Sequence, residues 1–146
     1  VYKTTLSNSM RSLNPHTLGD SRDYGFSQIV VVPSDTALAY ISGQGSGKVD
    51  GDYPESFAEQ VALAFDSLRK ALEAIGSTPD DVVKITILSV DHTDEKLKII
   101  SDARKRFWPD QRPTSTLIPV PRLASAGMLF EIDAVAVVRD SDPSIP

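Results

Sequence analysis

The residues able to do chemistry in this chain are few, and each sits in a local pattern that can be weighed. Glu131 and Asp133 stand two apart in the alternating run Leu129 to Val138, which puts both on one face of a strand. A carboxylate so placed can serve as a general acid or base; a pair of solvent-facing or interface charges has the same pattern. The segments Arg112-Pro113-Thr114-Ser115-Thr116 and Val120-Pro121-Arg122-Leu123 carry arginines, whose planar guanidinium suits a bidentate grip on a carboxylate. From pattern alone Arg112 reads as a surface residue and Arg122 as a brace for a loop or an interface. Gly43-Gln44-Gly45-Ser46-Gly47-Lys48 is as glycine-rich as a phosphate loop, yet Ser42 and Val49 break the Gly-x-x-x-x-Gly-Lys-Ser/Thr spacing. It also lies too far ahead of the next helix to place amides at that helix's N-terminus. A flexible loop bordering a pocket is the better reading. His92, in Asp91-His92-Thr93-Asp94, has no nucleophile beside it and supports no triad. Arg104-Lys105-Arg106 suits the C-terminus of a helix, where positive charge complements the dipole.

Composition narrows the chemistry further. The 146 residues contain no cysteine, which excludes a disulfide scaffold, a thiol nucleophile and a thiolate metal site. The two histidines, His16 and His92, leave little room for a zinc or non-haem iron centre. A net charge of -5 argues against nucleic acid as a partner, because phosphate binders present a basic face. No apolar run approaches the ~20 residues that span a bilayer, and Val1-Tyr2-Lys3-Thr4-Thr5 lacks a secretory pattern. A soluble protein of the cytoplasm, or of mitochondria, is expected.

The elements that must position these residues follow from periodicity. Residues 1–23 are rich in Ser, Asn, Thr and Gly and read as an arm. Tyr24 to Val32 and Ala37 to Gly43 are aromatic and β-branched runs about Pro33-Ser34-Asp35, which predicts a hairpin. A helix from about Pro54 to Ile75 places Phe57, Val61, Ala64, Phe65, Leu68 and Leu72 on one face, with a Ser56/Glu59 capping box and Gly76 at its end. Val82 to Val90 is apolar on both faces and predicts a central strand. A second helix from Thr93 or Asp94 to Phe107 turns Leu97, Ile100 and Phe107 inward and stops before Pro109, and Trp108 is a core or interface aromatic. Strands from Thr114 to Val120 and from Leu129 to Val138 complete the domain at residue 139, and residues 140–146 read as a flexible tail. The result is an α+β, two-layer ββαβαββ domain with both helices on one face of a single mixed sheet. The other face is left bare and predicts an oligomer with pockets where subunits meet.

Four segments, in order, resemble the RidA/YjgF family of imine deaminases, also described as L-PSP endoribonucleases. They are Phe26-Ser27-Gln28, Tyr40-Ile41-Ser42-Gly43-Gln44, Leu68 to Gly76 leading into Asp80-Asp81-Val82-Val83-Lys84, and Arg112-Pro113 through Leu123 to Phe130-Glu131-Ile132-Asp133-Ala134-Val135-Ala136. The resemblance implies a chorismate-mutase-like fold, a homotrimer with intersubunit pockets, and cofactor-free hydrolysis of small imines or enamines such as 2-aminoacrylate. It implies that Glu131 positions or activates the attacking water, with Phe26, Ser42, Gly43, Gln44, Ser115 and Arg122 around the substrate. Phe26 stands where the family commonly has Tyr and so lacks its hydroxyl. Ser115 stands where the family's deaminases read the arginine of Pro-x-Arg-Ser, the residue that forks the substrate carboxylate. One neutral hydroxyl replaces a charge-assisted fork worth about 1.5–3 kcal/mol or more, which predicts weak or no hydrolysis of 2-aminoacrylate. Arg122 matches an arginine that the family commonly has alongside the forking one, so it is no substitute for it. The rival expectation is a non-catalytic trimer that binds a metabolite or a protein. RNA cleavage, the older family label, lacks a basic face and paired histidines here.

Overall fold

A computed structural model describes residues 10–47 and 52–139. Strands β1 (Arg11–Leu13), β2 (Ile29–Val31) and β3 (Ala37–Gln44) precede helix α1 (Phe57–Ala74), strand β4 (Val82–Val90), helix α2 (Asp94–Phe107) and strands β5 (Thr114–Val120) and β6 (Phe130–Val138). The main sheet has the order β3-β6-β4-β5, with β4 and β5 parallel and the other pairs antiparallel. This is an α+β domain with a mixed sheet and two helices, as the periodicity implies.

Both helices start on side-chain caps. Ser56 Oγ accepts from the Glu59 amide at 3.3 Å, and Thr93 Oγ1 accepts from the Lys96 amide at 3.2 Å. Helix α1 therefore begins at Phe57, after Pro54 rather than on it. Gly76 takes a left-handed φ of 68°, ending the helix as its sequence position implies. Val61, Leu68 and Leu72 of α1 and Ile100 of α2 meet Ile85, Ile87, Phe130, Ile132 and Ala134 of the sheet in one buried core. Trp108 is fully buried, packs edge-on to Phe107 with centroids 4.7 Å apart, and donates from Nε1 to Pro79 O at 2.8 Å.

The expected hairpin of residues 24–43 does not form. Strand β2 is only three residues long and pairs antiparallel with β1, a strand inside the stretch read as an arm. Strand β3 pairs with β6. Pro33 has no amide to give a ladder, and Asp35 turns the chain at a φ of 59°. Lys48, residues 1–9 and the expected tail at 140–146 lie outside the described residues.

Gln60, buried at the start of α1, ties two loops to the core. Its Nε2 donates to Pro54 O at 2.7 Å and Gly127 O at 2.8 Å, and its Oε1 accepts from the Leu129 amide at 2.9 Å. A Gln60→Leu substitution fills the space but strands these groups. It is expected to lower the unfolding free energy by about 1–3 kcal/mol with an unchanged urea m-value.

Candidate functional site

Two groups of the expected residues come together, each around a different side chain. Glu131, half-buried on β6, lies over Gly43 on the neighbouring strand β3. The ladder is irregular there, with Ile41 opposite Ala134 and Gln44 opposite Ile132, so Ser42 and Gly43 bulge beside Asp133. A β-carbon on residue 43 would sit 2.9 Å from Glu131 Cγ and 2.5 Å from its Cδ, and closer still to Oε1. Glycine is thus required here by the carboxylate and not by its own φ. Gln44 Nε2 donates to Ser42 O at 3.0 Å and closes the bulge. Asp133, on the same face, accepts from the Thr86 amide at 3.0 Å, a structural bond between strands.

The second group surrounds Ser115 at the start of β5. Its Oγ accepts from Arg104 Nη1 at 2.9 Å, while Arg104 Nη2 donates to Ser101 Oγ at 3.3 Å. Arg104 comes up from α2 and is only 2 % exposed. Phe26 covers it, with the ring centroid 5.3 Å from the guanidinium carbon. The segment carrying Phe26 is held by Ser27 N to Pro113 O at 2.9 Å, Ser21 Oγ to Phe26 O at 2.7 Å and Arg112 Nη1 to Arg22 O at 2.8 Å. Its Gly25 has φ 78° and packs so tightly that a β-carbon would lie 2.9 Å from Arg104 Cβ. Burial pushes the Arg104 guanidinium down to about 10, still cationic at neutral pH.

Sequence reasoning assigned Arg104 to a helix end and missed it as the cation beside Ser115. The signal was present: Arg104 falls four residues after Ile100 and three before Phe107, inside the inward stripe of α2. A charge on an apolar stripe is the informative exception. Arg112 also differs from its surface reading, because it is half-buried and braces Trp108 O at 3.1 Å as well as Arg22 O. Arg122 is exposed and donates to Leu123 O at 3.2 Å, within its own loop. His92 does have a hydroxyl beside it, Ser89 Oγ at 3.0 Å from Nδ1, but Ser89 is fully buried in the core and cannot meet a substrate. Among the described residues, no group of three His, Asp or Glu is arranged to hold a metal.

The two groups lie on opposite faces of the sheet. Glu131 is opposite Leu88 and Ser115 opposite Ile85, positions of unlike parity on β4. With strands about 4.8 Å apart and residues about 3.3 Å apart along them, the two Cα atoms are roughly 14 Å apart. One small molecule cannot touch both side chains of a single copy.

A mixed sheet carrying two helices on one face, with a glycine bulge under a strand glutamate, defines a chorismate-mutase-like α+β protein. A family model described as Endoribonuclease L-PSP matches residues 22–138, and the chain belongs to that family, the RidA/YjgF proteins. It is 34% identical over 103 residues to the RutC family protein YjgH of Escherichia coli (strain K12), covering 70% of this chain and 77% of the relative. It is 32% identical over 114 residues to the 2-iminobutanoate/2-iminopropanoate deaminase of Bos taurus, covering 77% and 79% respectively. A crystal structure of the Rid family protein YyfB from Yersinia pestis superposes with a TM-score of 0.82 at 28% identity, over 90% of this chain and 99% of that one. No helix among the described residues is long and apolar enough to cross a membrane.

Proposed function

We propose that this protein hydrolyses a small imine or enamine without a cofactor, as a homotrimer whose pockets lie between subunits. The observation that carries this reading is the Glu131 carboxylate seated in the space that a side chain at residue 43 would fill. A glutamate so confined can take a proton from a water while that water adds across a C=N bond. The same carboxyl returns that proton to nitrogen to complete a carbinolamine, then carries the carbinolamine's hydroxyl proton to nitrogen, so that the C–N bond breaks with formation of C=O and ammonia leaves beside a keto product. The bovine relative's name, a deaminase of 2-iminobutanoate and 2-iminopropanoate, supports the reaction class. The separation of Glu131 from Ser115 supports the oligomer, since a second copy is needed to bring such groups around one substrate.

The test is ammonia release from 2-aminoacrylate generated enzymatically in the assay. Slow hydrolysis above the uncatalysed rate is expected. Glu131→Gln is expected to reduce the rate about 10²–10⁴-fold. A Glu131→Gln protein as active as the wild type would remove the reading.

A further inference from the structure

A guanidinium inside a protein is costly unless its donors meet acceptors and its charge meets an anion. Among the described residues, Arg104 meets the first condition in part and is in no ion pair. Two hydroxyls accept from it, but its Nε is buried with no hydrogen-bond partner among the described residues. The acid nearest it in sequence, Asp102, is engaged with Lys98 and Lys105. The side chain could not have relaxed to the surface without abandoning Ser115, Ser101 and the face of Phe26 together.

We propose that Ser115 and Arg104 form the anion-recognition element of this chain, which selects a carboxylate on the substrate. Ser115 makes the contact and Arg104 is a positioning residue that acts through it. The direction of the hydrogen bond gives the sense: Ser115 Oγ accepts from Nη1, so its own proton is left to donate. A cation behind a hydroxyl strengthens that donation, and the Phe26 ring keeps water from screening the charge. A charge on the helix therefore does through one hydroxyl what an arginine on the strand would do by direct contact. A planar monoanion fits a single donor with one charge behind it, whereas a phosphate dianion calls for more donors than this element presents.

The inference rests on the imine-hydrolysis reading for the identity of the substrate, so its test uses binding rather than turnover. Calorimetric titration of the intact protein would compare 2-oxobutanoate, the product of 2-iminobutanoate hydrolysis, with its neutral amide, 2-oxobutanamide. The wild type is expected to bind the acid at least tenfold more tightly. Ser115→Ala and Arg104→Met are each expected to weaken the acid by about 10- to 100-fold and leave the amide unchanged, with Arg104→Lys between. If Arg104→Met does not fold, Ser115→Ala and Arg104→Lys decide the matter. Equal affinity of the wild type for acid and amide, or acid binding unaffected by these variants, overturns the proposal even if hydrolysis is found. Acid preference lost in the variants, in a protein that hydrolyses nothing, supports the anion element and removes the hydrolase reading instead.

Discussion

Gly43→Ala is expected to destabilise the protein and to abolish most of its activity, and removing Glu131 in the same chain is expected to restore only the stability. The backbone at Gly43 does not need glycine's left-handed freedom, so the whole cost is steric. The added methyl would meet Glu131 Cγ at 2.9 Å and Cδ at 2.5 Å, against a side chain held between β3 and β4. Overpacking of this kind costs about 1–3 kcal/mol, which lowers the thermal midpoint by roughly 3–10 °C for a chain of this size. Glutamate can escape the clash by swinging away, but that moves the carboxylate by about an ångström or more, enough to lose ~10²-fold in rate. In Gly43→Ala/Glu131→Ala the space is vacant again. Thermal melts of the four proteins complete a double-mutant cycle, and strong non-additivity is expected. Additive losses would mean that the carboxylate does not rest on Gly43.

How much of this was legible in the sequence differs from residue to residue for physical reasons. Strands β4 and β5 and helix α2 have the limits that their patterns imply, because local periodicity and the caps at Thr93 and Pro109 act within a few residues. The pairing of β1 with β2 depends on residues 18 or so positions apart, too far for local pattern to announce it, and was not legible. Period-two alternation told that Glu131 and Asp133 share a face. It could not tell that Ser115 has the other face, since that depends on the registers of β5 and β6 against β4. Ser115 itself was readable as the departure from the family's Pro-x-Arg-Ser. The compensating cation was not, because Arg104 belongs to a different element and its run of three basic residues has an ordinary explanation at a helix end. The resemblance carried the fold and the glycine–glutamate pair, while the chain's own geometry supplied Arg104.

Tyr40→Asp is expected to leave each copy folded, dissociate the assembly and remove activity together with it. The sheet face away from the helices carries Leu38, Tyr40 and Ile118, at 41%, 79% and 44% exposure in the isolated chain. Between them a groove of about 270 Å³ is bordered by Tyr40, Ser42, Lys84, Thr86, Asp133 and Val135. Tyr40 makes little contact within its own copy, so an aspartate there has small effect on the core, and circular dichroism should be unchanged. At an interface the loss is different, since a central aromatic typically contributes 2 kcal/mol or more and a buried unpaired charge adds to the penalty. A closed trimer repeats the substitution at three interfaces. About 2 kcal/mol at each is roughly 6 kcal/mol in all, or on the order of 10⁴ in the assembly constant. Light scattering after size exclusion at micromolar protein should show monomer in place of trimer. On the proposed reading one substrate meets both Glu131 and Ser115, which stand on opposite faces of one copy's sheet, so deaminase activity should fall in step with the trimer fraction. A Tyr40→Asp protein that is monomeric and fully active would separate catalysis from assembly, and a wild type that is itself monomeric would leave the bare face needing another partner.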